Sequence, residues 1–337
     1  MYKSNTCKSA QFRKKRRQDE PMIASITLNP CRDKTLVVSK LICGELNRVL
    51  ESREDMSGKG VNVSAVLKGL GKETICLGFN FTLGCDDMEE SLKKQSIPFD
   101  FITCPGKIRT NAKVFEKDSG IMTEINEKGD FVSKKHLELL LEKTKSYCLS
   151  GKAKMFIISG SAPQGVPDDY YAQIISAVKA INPSIPIALD AEGELLRHGI
   201  KAGPEILKPN LHELASVFGI QPDEKGKLKE KCRELISSGI KMICVSMGAE
   251  GAMLINESRA LRAHAIKVKV KSLQGAGDSM MAGICSAWIE GGPLEEILRF
   301  GVAAAAGTIE REGTLMCRLD DFNRLHPLVK IAEMQYS

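Results

Sequence analysis

Gly275-Ala276-Gly277-Asp278-Ser279-Met280-Met281-Ala282-Gly283-Ile284-Cys285-Ser286-Ala287-Trp288 is the stretch from which the rest of the chain can be organised. Glycines come first, an acid follows, and a long run of small and apolar residues closes it. This reads as a helix beginning at a glycine turn, over 275–290, with a second helix over 294–309. A helix N-terminus carries free N–H groups and the positive end of the helix dipole, so it attracts anions. Small side chains let a phosphate come close to the backbone. Asp278 then stands in the first turn, beside the anion, where a carboxylate can take the proton of an attacking hydroxyl. The same residues also suit a plain N-cap, since Asp favours that position.

Upstream of this stretch, short β-rich runs alternate with amphipathic helical runs. Strands are expected at 23–28, 74–78, 155–159, 187–190, 206–208 and 242–246. Helices are expected between them at 61–70, 134–147, 168–180, 211–218 and 225–238. Apolar strands spaced by helices point to an α/β protein with a mostly parallel central sheet covered on both faces. Two regions break the alternation. Residues 34–46 and 98–126 hold strand-like runs with no helix between them, and 111–115 and 121–125 flank the turn Lys117-Asp118-Ser119-Gly120 as a hairpin. These two insertions are expected to form a small antiparallel sheet apart from a main domain built from 21–33, 47–97 and 127–325.

Composition sets the outer bounds. The 337 residues are 43% apolar and 27% charged, an ordinary globular balance. No apolar run approaches the roughly 20 residues that span a bilayer. Of the net charge of +6, +5 falls in residues 1–20, where Lys3, Lys8, Arg13, Lys14, Lys15, Arg16 and Arg17 stand against Asp19 and Glu20. This segment reads as a basic, disordered extension, and nucleic-acid binding is not expected of the nearly neutral body. No apolar core follows the basic cluster, which speaks against a secretory signal. Eleven cysteines include no CxxC pair, so zinc-ribbon and thioredoxin motifs are absent. Reduced thiols in the cytoplasm are the expectation.

Three further blocks carry chemistry, two of them bearing glycines. Ser57-Gly58-Lys59-Gly60-Val61-Asn62 puts a Lys and an Asn at another helix start. Lys208-Pro209-Asn210-Leu211-His212-Glu213 spaces Asn210 and Glu213 three apart, which suits a capping box and also an oxygen-rich place for hydrated Mg²⁺. Ser246-Met247-Gly248-Ala249-Glu250-Gly251 is a glycine turn between strands, either a plain hairpin or a floor for a nucleotide. GxxxxGK[ST], GxGxxG, HExxH and GxSxG are all missing.

Taken together and in this order, the blocks resemble those of the ribokinase-like, PfkB-type carbohydrate kinases, over about 22–318. The chain is most similar to the 1-phosphofructokinase and tagatose-6-phosphate kinase branch. Its markers are Leu28-Asn29-Pro30 with Asp33, Arg53-Glu54-Asp55, Arg109-Thr110-Asn111, Thr123-Glu124-Ile125-Asn126 and Ser159-Gly160-Ser161-Ala162-Pro163. The resemblance implies a three-layer αβα domain and a β lid that covers the sugar and often mediates homodimers. It implies Asp278 as the base and Gly275, Ala276 and Gly277 as an anion hole. Asp33, Gly58, Lys59 and Asn62 would hold the sugar, and Arg109 its existing phosphate. Lys208, Ser246, Gly248 and Gly251 would line the ATP site, and Asn210 and Glu213 would serve Mg²⁺ indirectly. The implied substrates are ATP and a phosphorylated ketohexose, most readily fructose 1-phosphate.

The chain departs from the family pattern at Ser57, Arg32, Leu273, Ala162 and Gln164. Arg32 bears on which sugar is taken, Leu273 on nucleotide or cation affinity. Tagatose-6-phosphate kinase activity and weakly catalytic phosphosugar binding are the alternatives. An esterase reading of Gly277-Asp278-Ser279 lacks a late Asp-x-x-His, since Asn323 stands three before His326.

Overall fold

The computed structural model describes residues 21–335. The basic segment expected at 1–20 lies outside the described residues.

In chain order the first half runs β1 (Met22–Thr27), β2 (Cys31–Val38), β3 (Glu51–Ser57), α1 (Lys59–Gly69), β4 (Thr74–Leu83), α2 (Cys85–Lys94), β5 (Phe99–Lys107), β6 (Arg109–Glu116), β7 (Met122–Asn126), α3 (Lys134–Leu149), β8 (Ala153–Ser159) and α4 (Tyr170–Ile181). The second half runs β9 (Ile187–Asp190), α5 (Gly193–Lys201), β10 (Ile206–Leu207), α6 (Leu211–Phe218), α7 (Lys225–Ser237), β11 (Met242–Ser246), β12 (Ala252–Asn256), β13 (Ala260–Ala263), α8 (Ala276–Trp288), α9 (Leu294–Ile309), α10 (Leu319–Leu325) and β14 (Ile331–Met334).

Ten strands form the main sheet in the order β14-β13-β12-β11-β10-β9-β8-β1-β4-β5. From β11 to β5 every neighbour is parallel, and the β11–β14 end is an antiparallel meander. Strand alternation divides the core into two layers. Ala24, Ile26, Ile243 and Val245 pack with Met88, Leu140, Ile174 and Leu214 on one face. Ile23, Met242 and Cys244 pack with Val66, Met281, Ile284 and Val302 on the other. The expected αβα sandwich is therefore present.

The closest helix packing seats the decisive stretch. A Cβ on Gly283 of α8 would stand 2.5 Å from the Phe300 carbonyl oxygen, and one on Gly301 of α9 would stand 2.8 Å from Ile284 Cγ1. Glycine at both positions lets the two helices touch backbone to backbone at Gly283 and backbone to side chain at Gly301. That fixes α8 so that its N-terminus lies at the carboxyl ends of the parallel strands, the usual ligand edge of such sheets.

The separate small sheet has the order β3-β2-β6-β7. Its outer pairs are antiparallel and its central β2–β6 pair is parallel, because those strands come from different insertions. The expected hairpin is β6–β7, but the expected boundaries shift in two places. Phe99–Lys107, expected in the small sheet, is the edge strand of the main sheet, paired in parallel with β4. The helix α2 between them supplies the crossover that a parallel pair needs. That helix was hidden in Cys85-Asp86-Asp87-Met88-Glu89-Glu90-Ser91-Leu92, where only Met88 and Leu92 are buried. Conversely, Glu51–Ser57, expected in the main domain, pairs with β2 over seven residues. Its polar sequence hides a strand exposed on one side. No helix among the described residues is long and apolar enough to cross a membrane. The ten described cysteines are all free.

Candidate functional site

A cleft of about 870 Å³ opens between the carboxyl ends of β1, β8, β9, β10 and β11 and the inner face of the small sheet. Its walls include Asp33, Gly58, Lys59, Asn62, Arg109, Lys208, Asn210, Glu213, Ser246, Gly275, Gly277 and Asp278. Twelve separately chosen residues, spread from position 33 to 278, are thus brought to one place.

Gly275 sits at the N-cap of α8 in the left-handed region, φ 70°. Its missing side chain leaves room for Met316, whose Cε would lie 2.4 Å from a Cβ there. Asp278 follows in the first helical turn. It is 6% exposed, and its Oδ2 accepts a 2.8 Å hydrogen bond from Asn62 Nδ2 on α1. Asn62 is held in turn by Ser57, whose hydroxyl donates to Asn62 Oδ1 at 3.3 Å. Burial, with Asp190 assisting, pushes the Asp278 carboxyl up from 3.8 to about 6, against the pull of Lys59, the Asn62 bond and Lys208. Such a group is ionised at neutral pH yet keeps appreciable basicity, the balance a general base needs.

Below it lies a charged cluster. Asp190, 1% exposed, stands between two lysines: Lys59 Nζ is 3.2 Å from Oδ1 and Lys208 Nζ is 3.0 Å from Oδ2. Burial acts to raise Asp190, but Lys208 and Lys59 outweigh it and hold the carboxyl below its ordinary value. Burial likewise acts to lower Lys59, and Asp190, Glu213 and Asp278 overcome it to hold the ammonium above its ordinary value. Lys208 also sits against the α8 N-terminus, its Nζ 3.4 Å from where a Gly277 Cβ would be. A cation and a helix N-terminus thus converge on one volume, which suits a polyanion.

Asn210 and Glu213 form the capping box of α6: Asn210 Oδ1 accepts from the Glu213 N–H and Glu213 Oε2 from the Asn210 N–H, both at 2.8 Å. Glu213 Oε1 remains, 3.8 Å from Lys59 Nζ. No group of three or more His, Cys, Asp or Glu side chains suited to a metal occurs among the described residues. One carboxylate oxygen at a polyanion site fits Mg²⁺, which keeps several waters and takes most other ligands from substrate phosphates.

On the small sheet, Asp33 Oδ1 accepts from Asn111 Nδ2 at 3.1 Å and Asp33 Oδ2 lies 3.0 Å from Lys113 Nζ. The guanidinium of Arg109 donates to the Glu127 carbonyl at 3.0 Å and the Asn29 carbonyl at 3.3 Å. It also reaches the Ser161 hydroxyl at 3.4 Å.

Some expected residues lie elsewhere. Ala276, Gly248 and Gly251 are not among the cleft walls. Gly251, φ 96°, is accounted for by packing, since a Cβ there would lie 2.0 Å from the Ala263 carbonyl oxygen. Arg32 points to the other face of β2, where it pairs with Glu54 at 3.0 Å and with Asp87. Leu273 is at the cleft rim, 71% exposed. Ser279 is fully buried and shares a 2.6 Å hydrogen bond with Thr308, so it is no nucleophile facing the cleft. The sequence reading missed Asp190 and Lys113. For Asp190 a signal existed, an acid ending the apolar run Ile187-Ala188-Leu189 at a strand's carboxyl end.

A family model described as pfkB family carbohydrate kinase matches residues 23–321. The 1-phosphofructokinase of Borreliella burgdorferi is 33% identical over 317 residues, covering 94% of this chain and 100% of that protein. The 1-phosphofructokinase of Bacillus subtilis is 31% identical over 316 residues, covering 93% and 100%. Among solved structures, phosphofructokinase-2 from Escherichia coli in complex with substrates and products superposes with a TM-score of 0.83 at 26% identity, covering 91% of this chain and 99% of that one.

Proposed function

The chain belongs to the pfkB family of carbohydrate kinases, and from that premise we propose that it transfers the γ-phosphoryl group of ATP to the 6-hydroxyl of fructose 1-phosphate, giving fructose 1,6-bisphosphate. The coarser statement, a phosphosugar kinase and so a phosphotransferase with an alcohol acceptor, follows from family membership together with the curated relatives.

In this reading Asp278 takes the proton of the sugar hydroxyl as its oxygen attacks the γ-phosphorus in line. Asn62 aims the carboxylate and keeps it ionised. Negative charge on the transferred group is met by the N–H groups opening α8, at Gly275 and Gly277, and by Lys208. Preorganised dipoles of this kind act most strongly where charge develops. Lys59, Gly58, Asn62 and Asp33 hold the sugar, and Arg109 receives the phosphate it already carries as a forked donor. Ser246, at the cleft wall, borders the nucleotide. Mg²⁺, held through water by Glu213 and Asn210, would neutralise charge on the ATP phosphates. The small sheet acts as the lid. Exposed Ile42, Leu46, Val49, Leu50, Ile121 and Ile125 on its strands and loops support a homodimer through it. A cytoplasmic location completes the reading.

The observation that carries it is the placement of Asp278, buried, bonded to Asn62 and set on the first turn of a helix whose open end faces the cleft. The test is ADP release with a panel of sugars and sugar phosphates. Turnover of fructose 1-phosphate well above tagatose 6-phosphate, fructose 6-phosphate and free sugars is expected. Turnover only of unphosphorylated sugars or nucleosides would refute the substrate assignment.

A further inference from the structure

Strand β6 turns Arg109, Asn111 and Lys113 to the cleft from one face, because side chains two apart on a strand share a face. The first holds the lid junction and the second braces Asp33. Lys113 is 6% exposed and forms its ion pair with Asp33, 3.0 Å away. Lysine is almost never this deep unless paired. A buried ion pair is commonly no more stabilising than apolar residues of the same volume. Stability therefore gives little account of a lysine here, whereas a place in the wall of a sugar cleft does.

The pair sets an anionic acceptor beside a cationic donor. An ammonium has three N–H donors and a carboxylate about four lone-pair sites. Their mutual contact engages one of each, and Asn111 and the Cys31 thiol both donate to Asp33 Oδ1, leaving acceptor capacity on Oδ2 and two ammonium donors. Two adjacent sugar hydroxyls need the complementary set: one hydroxyl donates to a carboxylate while its neighbour accepts from an ammonium. We propose that Lys113 is a specificity-determining residue, which with Asp33 reads the C3 and C4 hydroxyls of the ketohexose phosphate. In a fructofuranose these hydroxyls are trans; in the 4-epimer, tagatose, they are cis. A reader with donor and acceptor fixed 3.0 Å apart on a sheet fits one of these arrangements better. The inference rests on the phosphosugar-kinase reading and adds which atoms of the sugar are sensed.

The experiment compares wild type with Lys113→Met, which keeps the stem and removes the ammonium, on fructose 1-phosphate and tagatose 1-phosphate. A hydrogen bond from a charged donor corresponds to about 10- to 100-fold in binding. The expected result is a KM for fructose 1-phosphate raised by that factor, a KM for ATP within about twofold, and a fructose-over-tagatose ratio of kcat/KM reduced about tenfold or more. A raised KM with the ratio kept makes Lys113 a mere brace for Asp33 and overturns the proposal, as does an unchanged KM or a wild type without preference between the epimers. Lys113→Met leaves the Asp33 charge buried and unpaired, so Asp33→Asn is compared with the neutral double variant Asp33→Asn/Lys113→Met. A further fall in the ratio is expected, and an equal ratio overturns the proposal. Wild type inactive on every ketohexose phosphate overturns the kinase reading and this inference with it. An active wild type whose variants keep the preference overturns this inference alone.

Discussion

The pH dependence of turnover follows from the surroundings of Asp278. Its carboxyl lies at about 6 rather than 3.8, chiefly through burial. In the proposed role of base it must be ionised, so kcat/KM should fall about tenfold per pH unit below about 6 and level off above it. Replacing Asn62 with Ala removes the 2.8 Å hydrogen bond that favours the ionised form. Hydrogen bonds to charged groups contribute about 1.5–3 kcal/mol, and one pKa unit corresponds to about 1.4 kcal/mol. With water restoring part of the loss, the acid limb should move up by about one unit. The assay is ADP release at saturating ATP and low sugar phosphate between pH 5 and 9. Substrate phosphates also titrate near pH 6, but identically for both proteins, so the displacement between the two profiles is the diagnostic. An acid limb at the same pH in both would refute the reasoning. The same shift acts on stability with the opposite demand. Because the folded carboxyl is raised, its contribution to stability is fully present below 3.8 and lost as pH rises through about 6. The rise of about two units corresponds to about 3 kcal/mol. Asp278→Asn should therefore be at least as stable as wild type at pH 8 by urea unfolding.

Asp190→Asn should lose about 3–5 kcal/mol in urea unfolding, since it leaves Lys208 buried without its carboxylate and weakens the hold on Lys59. Gly275→Ala meets both a left-handed backbone and Met316, so it should lower the melting temperature by several degrees and kcat by about tenfold or more; wild-type turnover in this variant would show that the α8 turn tolerates distortion. Arg32→Ala removes exposed ion pairs with Glu54 and Asp87 on the far face of β2, so kcat/KM for the sugar phosphate should stay within about twofold and stability within about 1 kcal/mol. A large rise in KM for this variant would return Arg32 to the sugar site.

The fold was legible where hydrophobic period and length agreed. The strand 187–190 and the helix 211–218 match their observed bounds, because an apolar run ending in Asp190 and an Asn210–Glu213 capping box mark their ends locally. Legibility failed where tertiary contact outweighs local pattern. Glu51–Ser57 has six charged or hydroxyl side chains and no apolar alternation, yet Cys31–Val38 recruits it as a strand. The crossover helix α2 exposes most of its surface, so its apolar signal is two residues wide. In the site, the blocks Gly58-Lys59-Gly60 and Gly275-Ala276-Gly277 stood out because glycines cluster there at helix starts. Lys113 did not, since a lysine in a strand is ordinarily solvated; only the register Asp33↔Asn111 across β2 and β6 places its ammonium on Asp33. Arg32 bears on the sugar in the sequence because it departs from the family pattern, but strand alternation sends it to the face of β2 opposite Asp33.

The proton transfer assigned to Asp278 is tested most directly by single-turnover measurement of phosphoryl transfer in Asp278→Asn, with ATP binding and unfolding followed on the same protein. The amide keeps the size of the side chain and removes its basicity. The rate should drop about 10²- to 10⁴-fold while ATP affinity stays within a few-fold of wild type. A folded variant that transfers phosphate within a few-fold of the wild-type rate would contradict the account.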